Sequence, residues 1–151
     1  MKHRPLLLAL TFTILAVATT TTNAKADGSH RLSFSAGVIR HGDPGSTDFL
    51  LGGEYEYRFF PTLGAGLLGQ YIFSTPSETL IGFPVFLHPL AGDWVVYGAP
   101  LLSFKSDGNH VGARLGTRAP LPFGVLTLTP ELAVDFIGGY RNYLFGLALG
   151  F

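Results

Sequence analysis

Apolar residues recur at every second position through most of the chain after residue 26, and this period of two is the feature that most constrains the fold. In the segment from Val111 to Ala119, one face carries valine, alanine and leucine, whereas the other carries Gly112, Arg114, Gly116 and Arg118. Successive side chains of a β-strand point to opposite faces, so the segment predicts a strand with one apolar face. Sustained helical spacing of apolar residues is missing after residue 26. The pattern therefore predicts an all-β protein.

Clusters of turn-forming residues divide the chain into eight such segments. We predict strands at residues 31–40, 49–59, 63–73, 80–88, 94–104, 111–119, 125–136 and 143–151. They are nine to twelve residues long, close to the roughly 9 to 11 that cross a bilayer as a tilted strand. Soluble strands average only about 5 to 6 residues. Pro84, Pro100 and Pro130 fall inside predicted strands, where we expect bulges or local breaks because proline cannot donate to the ladder.

The distribution of charge predicts which face of the barrel is enclosed. Only 13% of the residues are charged, about half the usual share. We predict an interior network of four cations and four anions, made of Arg31, Glu54, Glu56, Arg58, Arg114, Arg118, Glu131 and Asp135. Equal numbers of both signs suit an enclosed space, because buried charges must be paired. The alternative is a soluble barrel with an apolar interior, such as a lipocalin, but seven aromatic residues of segments 49–59 and 143–151 would overfill its lumen.

Aromatic residues near the predicted strand ends support a membrane-facing outer surface. We predict interfacial positions for Tyr55, Tyr57, Phe59, Tyr71 and Trp94, as in the aromatic girdles of membrane barrels. Two glycines, Gly53 and Gly69, also fall on the predicted lipid face. Segments 80–87 and 95–102 are apolar on both faces, and we interpret this as local apolar plugging of the interior, with a pocket for a hydrophobic ligand as the alternative.

The N-terminus has the pattern of a secretory signal. Lys2, His3 and Arg4 precede an uncharged run from Leu6 to Ala18, and Ala24-Lys25-Ala26 fits the small-x-small cleavage rule. We predict a signal peptide at residues 1–26 and a barrel domain at 27–151. The run is shorter than the about 20 apolar residues that a helical anchor needs. Residues 27–151 hold seven basic and ten acidic residues, and this net charge of −3 argues against binding to nucleic acid.

The connections alternate in character and indicate an orientation. Segments 60–62, 89–93 and 120–124 are short and contain proline, and we predict that they are periplasmic turns. Segments 41–48, 74–79, 105–110 and 137–142 are somewhat longer and mostly polar, and we predict that they are outer loops. All four are brief, which argues against a large protein-binding platform.

In their strand pattern and terminal segment, residues 27–151 resemble the small eight-stranded outer-membrane barrels of the OmpA and OmpX type. The resemblance rests on the signal followed by eight amphipathic strands and on the terminal segment Tyr143 to Phe151, which ends in phenylalanine. It implies an eight-stranded antiparallel up-and-down transmembrane β-barrel in a Gram-negative outer membrane. It also implies that the barrel assembly machinery inserts the protein, with Tyr143, Phe145, Leu147, Leu149 and Phe151 as the assembly signal.

Motifs for catalysis, for metal binding and for a cofactor are missing from the sequence. We interpret His30, His41, His88 and His110 as surface histidines, because they are scattered. The sequence therefore favours a non-catalytic, monomeric barrel with a structural or surface-interaction role and outer-membrane lipids as its surroundings. Three alternatives stay open: a narrow pore, a lipid-modifying enzyme such as a PagL-like lipid A deacylase, and a hydrophobic-ligand barrel.

Overall fold

The computed structural model describes residues 30–42, 45–89 and 94–151. The predicted signal peptide at 1–26 lies outside these residues. The described chain forms ten β-strands: β1 (His30–His41), β2 (Thr47–Phe60), β3 (Leu63–Ile72), β4 (Glu78–Gly82), β5 (Val85–Leu87), β6 (Val95–Lys105), β7 (Gly108–Arg118), β8 (Leu121–Phe123), β9 (Leu126–Ile137) and β10 (Tyr140–Gly150). In the same residues, no helix reaches the length and apolarity that would let it cross a membrane.

These strands close into one antiparallel barrel. The order runs β10, β1, β2, β3, β4, β6, β7, β9, and β10 pairs again with β9 to complete the ring. β4 and β5 both pair with β3 and β6, so together they form one wall position. β7 and β8 likewise form one wall position beside β9. The prediction of a closed eight-stranded up-and-down barrel is confirmed.

A local break lies at Pro84, between β4 and β5, as expected. The register is the same on both sides of the break, since Gly82 faces Leu101 and Val85 faces Gly98. Pro100 stays inside the unbroken strand β6 and accepts a hydrogen bond from the Phe83 amide at 3.2 Å. The amide nitrogen and the carbonyl of one strand residue point the same way, so the missing N–H of Pro100 faces the broken segment.

Pro130 follows the same rule in the unbroken strand β9. Its carbonyl accepts from the Ala119 amide at 3.2 Å, at the gap that separates β7 from β8. The expectation of a bulge or break in the strand itself is therefore wrong for Pro100 and Pro130, because the neighbouring strand is interrupted instead. The register shift found in the described ladders lies between Arg58 and Phe60.

Two hairpins are tighter than the sequence predicted. β6 and β7 are joined by residues 106–107, and β9 and β10 by residues 138–139. Gly138 and Gly139 have φ of 62° and 84°, the pair of positive values that a two-residue type I′ turn requires. The segment predicted as one turn at 120–124 instead contains β8, and the turn there is residues 124–125.

Two ends of the barrel follow from these connections. We call the end with residues 61–62, 88–89 and 124–125 the turn end, and both His30 and Phe151 also lie there. The end with residues 42, 45–46, 73–77, 106–107 and 138–139 is the loop end. Along β6 and β10, buried interior positions alternate with outward positions that are mostly exposed, and the ladders to their neighbours carry the two faces around the ring.

Candidate functional site: the barrel interior

The structure places the eight charged residues of the predicted network on the inner faces of β1, β2, β7 and β9. Six are nearly inaccessible: Glu54, Glu56, Arg114, Arg118, Glu131 and Asp135. Arg31 and Arg58 are half-buried near the turn end. Arg31 donates to the Thr129 hydroxyl at 2.7 Å. The network is divided into three groups of contacts.

The first group is centred on Arg118 and spans the lumen. Arg118 forms a bidentate ion pair with Glu54, with Nη2 at 2.6 Å from Oε2. The same nitrogen lies 3.3 Å from Glu131 Oε1. The guanidinium carbon lies 4.4 Å from the ring centroid of Tyr97 and 5.3 Å from that of Phe86, close enough for cation–π attraction. Arg118 is thus held by two carboxylates and two aromatic rings.

Tyr97 also takes part through its hydroxyl, which donates to Glu131. Tyr97 was not predicted as an interior polar residue, because its segment is apolar on both faces. Its place in the alternation of β6 would have identified it, since Tyr97 lies between outward residues and so faces the lumen.

The second group is an ion pair within the wall. Arg114 Nε lies 2.5 Å from Asp135 Oδ1, and Nη2 lies 2.7 Å from Oδ2. Both side chains have zero exposure, and the residues are register partners on β7 and β9. Such a two-pronged pair fixes both side chains in one geometry.

The third group lies at the turn end around His88. His88 Nε2 lies 2.7 Å from Glu56 Oε1, and Nδ1 lies 3.2 Å from Arg58 Nη2. The interpretation of His88 as a surface histidine is wrong, since its exposure is zero. The residue continues the inward alternation of Phe86 past the end of β5, and its partners come from β2.

A polar cluster at the loop end was also not predicted from the sequence. Glu78 is buried, accepts from the Ser103 hydroxyl at 2.5 Å and lies 3.0 Å from Lys105 Nζ. Glu78 is two residues before Leu80 on the same inward face, but the predicted strand began at Leu80 and excluded it.

Between the ion pairs and the loop end, apolar side chains fill the lumen. Seven interior residues that are at most 6% exposed come from seven strands: Ile39, Leu50, Ile72, Leu80, Leu101, Ile137 and Leu144. Six of them lie in the half of their strand next to the loop end, and Leu80 lies in that half of the wall position formed by β4 and β5. We call this set the apolar layer. It takes in seven of the eight wall positions, all but that of β7, and so extends well beyond the two segments for which the sequence indicated apolar plugging.

The outer face carries the aromatic residues. Tyr55, Tyr57, Phe59 and Trp94 lie toward the turn end, Tyr71 lies toward the loop end, and all are 41–46% exposed. On β10, Tyr143, Phe145, Leu147 and Leu149 point outward, and Phe151 follows the strand.

The two lipid-face glycines are register partners that leave a shallow groove. Gly53 pairs with Gly69, and a cavity of about 550 Å³ lies over them, walled by Phe34, Leu51, Tyr71 and Ile81 among others. Within the described residues, no group of three or more histidine, aspartate or glutamate side chains could hold a metal ion.

Known proteins match this chain in structure and not in sequence. No protein-family model matches the chain, and no curated protein sequence matches it. The N-terminal β-barrel domain of Pseudomonas aeruginosa OprF superimposes with a TM-score of 0.58 at 16% identity, over 80% of this chain and 96% of that one. The chain has the fold of the small eight-stranded outer-membrane barrels. The fold expected from the sequence resemblance is thereby confirmed.

Two further barrels give the same result. Neisserial surface protein A superimposes with a TM-score of 0.57 at 11% identity, over 80% of this chain and 95% of that one. A structure from the de novo design of transmembrane β-barrels gives 0.55 at 15% identity, over 80% and 95%. At these identities the likeness concerns the architecture of the small outer-membrane barrels.

Proposed function

We propose that the chain is an integral protein of a Gram-negative outer membrane, with a sealed barrel and a non-catalytic structural or surface-interaction role. One observation carries the proposal. In the described strands, eleven charged residues face the interior and two face outward, whereas the outer surface is covered with exposed leucine, valine and aromatic side chains. Such a surface is suited to lipid, because monomeric soluble proteins rarely expose large contiguous apolar patches.

The apolar layer supports a sealed barrel over a narrow pore. An eight-stranded barrel is just wide enough for side chains to fill it, and here leucine and isoleucine from seven strands line the half of the lumen next to the loop end. Ions would have to lose their hydration to pass such a layer. The contacts of the buried histidine His88 are with Glu56 and Arg58 rather than with a serine, so they give no support to a lipid-modifying enzyme.

Cell fractionation and gel mobility test the proposal together. The full-length protein should be recovered with the outer membrane, and unboiled and boiled samples should migrate differently on a cold detergent gel. Reconstituted into a planar bilayer, the folded barrel should give no conductance steps. Recovery in the soluble periplasmic fraction would overturn the membrane assignment, and stable conductance would overturn the sealed interior in favour of the pore.

We also propose that the barrel assembly machinery inserts the protein as a monomer and reads its last strand. β10 supports this, since from Tyr143 onward its outer row is aromatic or aliphatic and leads to Phe151. Phe151→Ala should lower the amount of folded barrel in the outer membrane, whereas Phe123→Ala, at another exposed turn-end phenylalanine, should not. Equal yields of the two variants would contradict the assignment.

A further inference from the structure

The two outward charges of the described strands are both arginines, and they are neighbours. Arg40 lies near the end of β1 and Arg141 near the start of β10, both exposed and both at the loop end. Every aspartate and glutamate of the described strands faces the interior. Two cations therefore stand on one edge of an otherwise uncharged outer surface.

The register of β1 and β10 brings these arginines together. Arg40 faces Tyr143 across the ladder, so Arg141 is its diagonal neighbour. A Cβ on Gly42 would stand 2.4 Å from the Arg141 carbonyl oxygen, which shows how closely the two strands run there. Diagonal neighbours on a sheet have Cα atoms about 7–8 Å apart, within the reach of long side chains.

Hydroxyl groups flank the pair. Thr47 is the register partner of Arg40 on β2, and the exposed Tyr143 is its partner on β10. Below them, Val38 and Phe145 are register partners that point outward with 43% and 60% exposure. The surface therefore changes from two guanidinium groups and two hydroxyls to bare hydrocarbon within one step along the strands.

No carboxylate of the described residues compensates the two cations. Asp48 follows Thr47 in sequence, but it faces the interior and lies 3.1 Å from His41 Nε2. Like charges on neighbouring strands repel each other, and the repulsion grows where lipid displaces water. An anion placed between the two guanidinium groups would reverse this cost.

We infer that Arg40 and Arg141 bind the phosphate group of an anionic lipid at the loop end of the barrel. Guanidinium groups bind phosphate through paired, charge-assisted hydrogen bonds. The hydroxyls of Thr47 and Tyr143 offer further donors, and the lipid chains pack on Val38 and Phe145. The inference rests on the proposed membrane location, because lipid supplies this ligand.

Native mass spectrometry of the full-length barrel, released from detergent, tests the inference. The probes are phosphatidic acid, phosphatidylcholine with the same acyl chains, and inorganic phosphate. Wild type should bind one phosphatidic acid about tenfold more tightly than Arg40→Gln/Arg141→Gln does, from the loss of two charge-assisted contacts. Phosphatidylcholine should bind equally and weakly to both.

A matched control separates this pair from net charge. Asn109 is an exposed outward residue near the loop end of β7, so Arg40→Gln/Asn109→Arg keeps the net charge but moves one arginine away. This variant should bind phosphatidic acid as weakly as Arg40→Gln alone. Binding equal to wild type would show that net charge is sufficient and would overturn the site.

Two further outcomes of the binding measurements would overturn the inference. Equal binding of phosphatidic acid by wild type and the double glutamine variant would overturn the inference. Inorganic phosphate that binds as tightly as phosphatidic acid would make soluble phosphate the ligand and overturn the lipid source. The mobility shift of each unboiled sample shows that it is folded, and membrane fractionation tests the proposed function separately, so the two can fail independently.

Discussion

Arg118 on β7 and Glu54 on β2 stand on opposite walls of the ring, yet their side chains meet in a bidentate ion pair. Three wall positions lie between the two strands in either direction. The pair thus ties the barrel together across its lumen, whereas the backbone ladders link only adjacent strands. Glu131 and Tyr97 complete the surroundings of the guanidinium group, so the buried cation lies between two carboxylates and beside an aromatic ring.

Removing Arg118 should be among the most destabilising single changes. Arg118→Leu leaves Glu54 buried without its cation, and breaking a buried pair in this way costs about 3–5 kcal/mol. Glu54→Leu/Arg118→Leu should cost clearly less, because only Glu131 then lacks Arg118, whereas Arg118→Leu alone leaves both Glu54 and Glu131 without it. Urea titration of the folded barrel in vesicles, followed by the fluorescence of Trp94, measures both; the chain has one tryptophan. A double variant no more stable than Arg118→Leu would contradict the assignment.

Gly116 is required by the ring of Tyr97. A Cβ at position 116 would stand 2.4 Å from Tyr97 Cε1 and 2.6 Å from its hydroxyl oxygen. Gly116→Ala should therefore destabilise the barrel by about 1–3 kcal/mol through overpacking.

The control for Gly116 is Gly69→Ala on the lipid face. A Cβ at position 69 would have no heavy atom within 4 Å, and alanine is preferred over glycine within a strand. This variant should be as stable as wild type or slightly more so in the same titration. Equal losses at the two positions would show that the glycines matter for the strand rather than for the space beside Tyr97.

The strand pattern was predictable because it is local. Alternation along the chain places Arg114 and Leu115 on opposite faces whatever the partners are, and the structure keeps them there. The contacts of the interior were not predictable in this way. Arg118 and Glu54 are 64 positions apart, and only barrel closure decides which charges meet across the lumen.

The residues that the sequence analysis missed lie where the local pattern is weak. His88 follows a three-residue strand, and the segments on either side are apolar on both faces, so alternation gave it no clear side. Pro100 was misjudged for a related reason, since the break that relieves its missing donor lies in another strand, at Phe83 and Pro84. The partners of His88 and the break opposite Pro100 lie on other strands, so the sequence next to either residue does not reveal them.

The stability cost of an arginine on the outer face should depend on its depth in the bilayer. Leu115 lies midway along β7 on the outer face and is 61% exposed. Arginine near the middle of a bilayer costs about 2–4 kcal/mol, and we expect this cost for Leu115→Arg. Asn109→Arg, on the same face near the loop end, should cost about 0–1 kcal/mol. Folding titrations in vesicles compare them. The same two variants should differ little if the outer face met water, and that result would reject the lipid-facing assignment.

The apolar layer should be the part of the interior that blocks ions. Ile39 and Leu144 are register partners in β1 and β10, and both are almost fully buried. Replacing both with serine should admit water between the charged half of the lumen and the loop end, because polar groups in a former apolar contact recruit water. We expect brief conductance steps in a planar bilayer from Ile39→Ser/Leu144→Ser and none from wild type.

The matched control for this pair is Ile39→Val/Leu144→Val, which keeps the layer apolar and should stay silent. A mobility shift of the unboiled samples must show that each variant is a closed barrel, since a cavity in the core carries a cost in stability. If the folded serine variant is as silent as wild type, the ion pairs of Arg118 and Arg114 block the lumen by themselves. Combining the serine changes with Glu54→Leu/Arg118→Leu then determines whether the two barriers act in series, because only the combined variant would conduct.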